Sequence, residues 1–320
     1  MSSWHKLRQE YRFRRMAHSK APIFVGPWRS EVGFETLYWL PWVSAWCERY
    51  KVPKERLIAI SRGGAGVWYG TPQRLDLYDY APVSRVRQAM LSDAAQSGSV
   101  KQQQITDWET AQLKVFAEHL GIRRYHVLHP SAMYRALTPW WEGHMSWQEL
   151  VPQLAFEPIP MAPVPLDIAL PQQFVAVSFY ARHTWPLTDE LHTWVAQLVD
   201  GIAKHVPVVV LESGVHTDEH VPFPLHGPNI LNLSMSMTVT NHLAVQAAVL
   251  AKSQCFIGTY GGMMQLAVRL KKPAAGFFQK FEGTCYAHKQ LTEWLGVQQQ
   301  TPVLIGRPDD AQFVKEILQV

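Results

Sequence analysis

The chain has little of what marks a secreted, membrane-embedded or metal-centred protein. Three cysteines, Cys47, Cys255 and Cys285, occur in 320 residues. They are far apart and never in CxxC spacing, so free thiols in a reducing compartment are expected rather than a zinc site or redox pair. No apolar run approaches the roughly 20 residues that a membrane-spanning helix needs, and the charged start of the chain is unlike a secretory signal. A cytoplasmic protein follows. Charged residues are 18% of the chain and the net charge is +4, too small an excess to imply nucleic acid. Sequence signatures for bound groups are missing too. No Asp-x-Asp tripeptide is present to hold a nucleotide-bound divalent ion, the glycine-rich stretch 62–70 lacks the Lys-Ser/Thr ending of a phosphate loop, and no G-x-G-x-x-G precedes an acidic residue about 20 positions on. An NAD-dependent oxidoreductase is disfavoured, and neither a metal nor a resident cofactor is expected. The one metal-like spacing, His216-x-Asp218-x-His220, is explained more simply as a polar loop before Pro222.

What is present is an alternation of short apolar strands and amphipathic helices. Hydrophobic residues are 47% of the chain, enough for two ordinary cores. The clearest break is the proline-rich run 157–165, Glu-Pro-Ile-Pro-Met-Ala-Pro-Val-Pro, an extended linker across which few contacts are expected. Domains at 1–160 and 166–320 result. Strand–helix alternation in the second half, with strands at 174–180, 208–211, 230–233 and 274–278 and helices from Thr188, from Asn241 and from Asp309, implies a parallel sheet covered on both faces.

The stretch 255–270 gives the strongest local signal. A short apolar run ends at Gly258, Gly261 and Gly262 follow, and Met263, Leu266, Ala267 and Leu270 recur at helical spacing. A glycine turn opening a helix presents unpaired amide N–H groups at the positive end of the helix dipole and can cradle a phosphate. The plainer alternative is that the glycines let the helix start pack closely on its neighbours. Similar loops leave other strands, with Arg182-His183 after the first of the second half and Glu212-Ser213-Gly214 after the next.

In the first half, a strand at 23–25 is stopped by Gly26-Pro27, and an apolar helix is expected from about 34 to 46, with Arg29, Glu31, Gly33 and Glu35 around its start. A carboxylate there is placed to act as a general base, or else caps the helix. A second strand at 56–61 leads into the glycine-rich loop beginning at Arg62, residues 84–106 show little pattern, a helix runs from 108 to 120, and a strand at 125–128 ends in His129. The aromatic stretch 133–147 suits a sugar platform or a core equally. Residues 4–20 carry Lys6, Arg8, Arg12, Arg14, Arg15 and Lys20 against Glu10 alone, with Trp4, Leu7, Tyr11 and Met16 available as an apolar side. That is either a basic amphipathic segment of the kind that lies on anionic lipid at the inner face of a membrane, or a helix packed on the body of the protein.

Taken together, Gly26-Pro27-Trp28 and Glu31-Val-Gly-Phe-Glu35 in the first half, with Ser178-Phe-Tyr-Ala-Arg182, Leu211-Glu-Ser-Gly214 and Phe256-Ile-Gly-Thr-Tyr-Gly-Gly262 in the second, resemble bacterial GT-B glycosyltransferases of surface polysaccharide biosynthesis. The resemblance implies an α/β protein of two Rossmann-like domains with parallel sheets facing across a cleft, the N-terminal one holding a glycan or lipid-linked acceptor and the C-terminal one a nucleotide-sugar donor. It implies catalytic roles for Glu31 or Glu35 as base and for Arg182 against the leaving phosphate. Donor contacts would come from Arg182, His183, Glu212, Ser213, Gly214, Thr259, Tyr260, Gly261 and Gly262, and acceptor contacts from Arg29, Gly33, Arg62 and His129. No retaining-type glutamate pair is identified, so either stereochemical course stays open. The alternative function is a non-catalytic nucleotide- or sugar-binding component of a polysaccharide assembly complex.

Overall fold

A computed structural model describes residues 3–97, 101–161, 169–182, 185–215, 220–281 and 285–310. In chain order the first half contains α1 (Ser3–His18), β1 (Ile23–Val25), α2 (Val32–Phe34), α3 (Leu40–Tyr50), β2 (Leu57–Ser61), β3 (Gln73–Asp76), α4 (Val83–Ser97), α5 (Asp107–His119), β4 (His126–Leu128), α6 (Ser131–Trp141) and α7 (Trp147–Leu150). The second half contains β5 (Val175–Ser178), β6 (Tyr180–Ala181), α8 (Asp189–Ala203), β7 (Val208–Val210), β8 (Val221–Pro222), β9 (Ile230–Asn232), α9 (His242–Lys252), β10 (Cys255–Thr259), α10 (Gly262–Arg269), β11 (Ala274–Phe277), α11 (Cys285–Gln298) and β12 (Val303–Gly306). The protein is α/β, with two parallel sheets.

Two compact units divide it, Met1–Ser30 with Tyr38–Pro160, and Glu31–Leu37 with Met161–Val320. The segment that the sequence places at the helix start of the first domain is thus built into the second unit. Its short helix α2 packs on α10 through small residues. A Cβ on Gly262 would lie 3.0 Å from the Gly33 amide nitrogen and 3.1 Å from the Val32 Cβ.

The first unit holds a four-stranded parallel sheet in the order β3-β2-β1-β4. On one face Phe24, Ile58, Ile60 and Leu77 pack with Leu113, Phe116 and Ala117 of α5, each fully buried large apolar side chain contributing about 1.5–3 kcal/mol. The start of α5 is fixed by a reciprocal capping box between Thr106 and Glu109. The single apolar helix expected at 34–46 is instead interrupted by a π-helical turn, Glu35–Trp39. Pro41, at the start of α3, has no N–H to close a normal helical bond to Leu37, which accounts for the wide turn. Residues 84–97, which lack a clear sequence pattern, form α4 because Arg, Gln, Ala, Met and Leu carry good helix propensity, with Val86 and Ala89 deeply buried.

The aromatic stretch is mostly core. Tyr134, Leu137 and Trp140 are buried, and Tyr134 stacks on Trp28, which stacks in turn on Trp39. Cys47 and Cys255 are buried free thiols, and burial pushes them up to about 12 and about 11, so neither is a nucleophile at neutral pH.

The second unit has a six-stranded parallel sheet in the order β12-β11-β10-β5-β7-β9 and a small antiparallel pair, β6-β8. The chain moves outward from β5 through β7 to β9, returns to β10 beside β5, and then moves outward the other way. The point of reversal therefore lies between β5 and β10. Val175, Val177, Val208, Val210 and Ile257 from the sheet pack with Leu191, Val195, Leu198 and Ile202 of α8, whose N-cap Thr188 accepts from the Leu191 amide at 3.3 Å. β12 and α11 were not legible in the sequence, and the helix expected from Asp309 begins as a 3-10 turn, Pro308–Asp310, with the rest outside the described residues. No described helix is long and apolar enough to cross a membrane.

β5 and β10 approach unusually closely at Gly258. A Cβ there would lie 2.2 Å from the Ser178 carbonyl oxygen, a backbone atom that cannot swing aside. Gly258→Ala is expected to destabilise the second unit by about 1–3 kcal/mol, as overpacked cores do, and urea unfolding measures it.

Candidate functional site

Three loops leave the carboxyl edge of the second sheet around its reversal point, the position at which open α/β sheets bind ligands. From β5 the chain runs through β6 to Arg182. The Arg182 backbone is fixed by a two-way bridge with Trp185, its N–H donating to the Trp185 carbonyl at 2.8 Å and its carbonyl accepting from the Trp185 N–H at 2.9 Å. Trp185 is fully buried among Phe179 and Trp194, so the base of the arginine is rigid while its side chain stays about a quarter exposed.

Glu31 and His220 converge on the guanidinium. Arg182 Nη1 donates to Glu31 Oε1 at 3.1 Å, and the same nitrogen lies 3.1 Å from His220 Nε2. A guanidinium has only donors, so in a hydrogen bond between the two His220 Nε2 is the acceptor. His220 lies against Tyr180, with ring centroids 4.1 Å apart and the rings tilted by 31°. The strand pair β6-β8 is what brings these residues together, since it registers Tyr180 opposite Pro222.

Glu31 precedes α2 in extended conformation, and its side chain makes no cap bond to the helix. Of the two roles open to a carboxylate here, side-chain capping is therefore not the one Glu31 plays. Glu35 opens the π-helical turn and is completely buried, whereas Glu31 remains partly exposed.

The glycine turn after β10 is tightly occupied by the protein itself. A Cβ on Gly261 would fall 1.9 Å from the Tyr180 hydroxyl, and Gly262 meets Val32 and Gly33 as described above. Thr259 is buried and its hydroxyl donates to the Tyr180 carbonyl at 3.1 Å while accepting from the Tyr180 amide at 3.0 Å. Tyr260 is buried with its ring against Phe281. These four residues shape the turn and seat Tyr180. Glu212, Ser213 and Gly214 follow β7 on the same sheet edge, half-exposed or exposed, with the Ser213 hydroxyl accepting from the Val215 amide at 3.2 Å. His183 lies outside the described residues, as do His216 and Asp218 of the metal-like spacing. Among the described residues no group of three or more His, Cys, Asp or Glu is placed to hold a metal ion.

The residues expected to contact an acceptor are arranged differently. Gly33 is in the second unit, against Gln265 and Gly262. Arg62 is buried and donates to the Ser30 carbonyl at 2.6 Å. Arg29 and His129, which follow β1 and β4, meet at a buried ionic cluster centred on Glu109. Arg29 Nε donates to Glu109 Oε1 at 2.9 Å and its Nη2 pairs with Asp93. His129 Nε2 lies 3.3 Å from Glu109 Oε2, an ion-pair distance without hydrogen-bond alignment. Gln102 ties the cluster to the backbone, donating to the Pro27 carbonyl and to Glu109 Oε1, both at 2.7 Å, and accepting from the Arg29 amide at 3.1 Å. Burial alone would raise the Glu109 pKa, but His129 and Arg29 together hold it down to about 2. With Arg29 and Glu109 nearly inaccessible, the cluster braces the ends of β1 and β4.

His220 and Tyr180 are the functional candidates that the sequence did not single out for this site. Their contact is invisible to local pattern because a strand pair of two residues each, distant in sequence, creates it.

No protein-family model matches the sequence, and no curated protein matches it. Similar solved structures include a glycosyl transferase family 9 protein from Veillonella parvula, 10% identical over 95% of this chain and 90% of that one, with a TM-score of 0.46. Heptosyltransferase WaaC of E. coli with ADP is 14% identical over 87% of this chain and 98% of its own, with a TM-score of 0.38. The dodecameric iron-containing heptosyltransferase TibC, in complex with ADP-D-beta-D-heptose, is 10% identical over 81% of this chain, with a TM-score of 0.43, and the chain spans 59% of its length. At these scores the fold assignment rests on the strand orders above.

Proposed function

We propose that this chain is a glycosyltransferase that moves a sugar from a nucleotide donor to a hydroxyl of a glycan or lipid-linked acceptor. The observation that supports the reading most is the Arg182 guanidinium, rigidly based and partly exposed at the reversal point of a parallel sheet, with a carboxylate and an imidazole on the same nitrogen. Nucleotide phosphates bind at such points, and a fixed cation there stabilises charge as it develops on a departing phosphate.

In the proposed reaction the acceptor oxygen bonds to the anomeric carbon as the bond from that carbon to the phosphate oxygen breaks. The bonding electron pair leaves on the phosphate, facing Arg182, and the acceptor proton passes to Glu31. Donor phosphate competes with Glu31 for the guanidinium, so donor binding frees the carboxylate it needs. His220 accepts from Arg182 and limits the directions in which the guanidinium can turn.

Glu31→Gln tests the reading. Transfer from a nucleotide sugar should fall by about 10²–10⁴-fold, the usual contribution of a general base, while nucleotide affinity, read by thermal shift against UDP, GDP, CMP and dTDP sugars, stays level or rises because Arg182 has lost its internal competitor. Unchanged transfer removes Glu31 from the chemistry. Binding of nucleotide without transfer in the wild type favours the non-catalytic binder.

A further inference from the structure

Helix α1 has two apolar sides, and the fold uses one. Phe13 packs on Trp42 and Trp46 with ring centroids 5.9 and 6.0 Å away, and Met16 is buried. Arg56 caps the end of the helix, donating to the carbonyls of Ala17 at 2.6 Å and Met16 at 2.9 Å. Tyr50 donates to Glu10, which also holds Arg14. The helix is therefore pinned in one rotation about its axis. That rotation turns Leu7 and Tyr11 outward, at 62% and 68% exposure. The two are four residues apart and so adjacent on one face, and Tyr11 lies roughly 200° around the helix from Phe13.

Exposed basic side chains flank this pair. Arg8, Arg12 and Arg15 lie along one side and Arg14 along the other, all exposed, and Arg12 sits near enough to the exposed Arg135 of α6 to add to the burial effect lowering its pKa. The acidic residue of the helix, Glu10, is turned to Tyr50 and Arg14. An outward apolar pair inside a ring of guanidinia, on a helix whose rotation is fixed from behind, matches a surface that offers anionic head groups over hydrocarbon.

We propose that the outer face of α1 docks the protein on an anionic phospholipid surface, Leu7 and Tyr11 entering the head-group layer while Arg8, Arg12 and Arg15 meet lipid phosphates. The inference stands apart from the reaction proposed above. The full-length protein is sedimented with vesicles of phosphatidylcholine alone and with vesicles containing about 30% phosphatidylglycerol, whose negative surface potential attracts basic segments. Binding is expected to the second and not the first, and to weaken as salt rises. Each arginine replaced, as in Arg8→Glu or Arg12→Glu, should lower partitioning about fivefold or more, and Leu7→Glu with Tyr11→Glu should abolish it. These side chains are outside the core, so circular dichroism and the thermal midpoint should be unchanged in each variant. Equal binding to both vesicle types, or binding to neither, overturns the proposal. So does a concentration-dependent dimer in sedimentation velocity that Leu7→Glu with Tyr11→Glu makes monomeric, because the face would then serve a second copy of the chain.

Discussion

Replacing Glu109 with alanine is expected to lower the stability of the first unit by about 3–5 kcal/mol, the cost of breaking a buried ion pair by removing one partner. The residue is completely buried and meets Arg29, Gln102, His129 and the Thr106 cap at once. Its loss leaves Arg29, also buried, with Asp93 as its remaining carboxylate partner. Gln102 would lose an acceptor and α5 half of its capping box. The acid limb of stability gives an independent reading. Glu109 titrates at about 2 in the folded protein against the usual 4.5, a difference of roughly 2.5 pH units or about 3 kcal/mol. A depressed carboxylate stabilises the fold above its unfolded pKa, and that stabilisation is lost as pH falls through the folded pKa. Urea midpoints of the wild type should therefore fall between about pH 5 and pH 2, and Glu109→Ala should be less stable at neutrality but flatter across that window. A variant that unfolds at the wild-type midpoint, or keeps the full acid slope, shows that the cluster is not what holds the ends of β1 and β4.

Arg182→Ala should have the larger effect on chemistry. If the guanidinium faces the departing phosphate, its removal should reduce kcat by about 10²–10³-fold, as loss of one preorganised donor at a developing charge does, and weaken nucleotide binding through a lost charge-assisted contact of roughly 1.5–3 kcal/mol. The Arg182 backbone bridge to Trp185 does not involve the side chain, so the fold should survive. Arg182→Lys retains the charge but not the planar guanidinium whose Nη1 meets both Glu31 and His220, and should recover nucleotide affinity more than turnover. Nucleotide binding as tight in Arg182→Ala as in the wild type moves the donor site elsewhere.

The second unit was legible in the sequence wherever strands were short, continuous and apolar, as at Val208–Val210 and Cys255–Thr259, and where a cap marked a start, as Thr188 does for α8. It was less legible where half-buried residues break periodicity, which is why β12, with three intermediate positions, and β3, with two exposed ones, left no trace. The site divides in the same way. Arg182 was visible because a basic residue just past an apolar strand is a local signal. The contacts of Arg29 with Glu109 and of Arg182 with His220 were not, because each joins residues remote in the chain. The Gly261-Gly262 turn carried two meanings in sequence, anion cradle or close packing, and Tyr180, Val32 and Gly33 do pack closely on it.

The contact between Gly33 and Gly262 also bears on how the chain can be made and divided. During synthesis at about 5–20 residues per second, Gly33 emerges some 10–50 s before Gly262, so the segment Glu31–Leu37 waits for a helix that does not yet exist. A fragment that begins at the proline-rich linker lacks this segment, and leaves uncovered the side of α10 where Gly262 and Gln265 meet it. Such a half should be less soluble than one joined to a copy of residues 31–37, and supplying that peptide in trans should raise its thermal midpoint in proportion to the logarithm of peptide concentration once binding saturates.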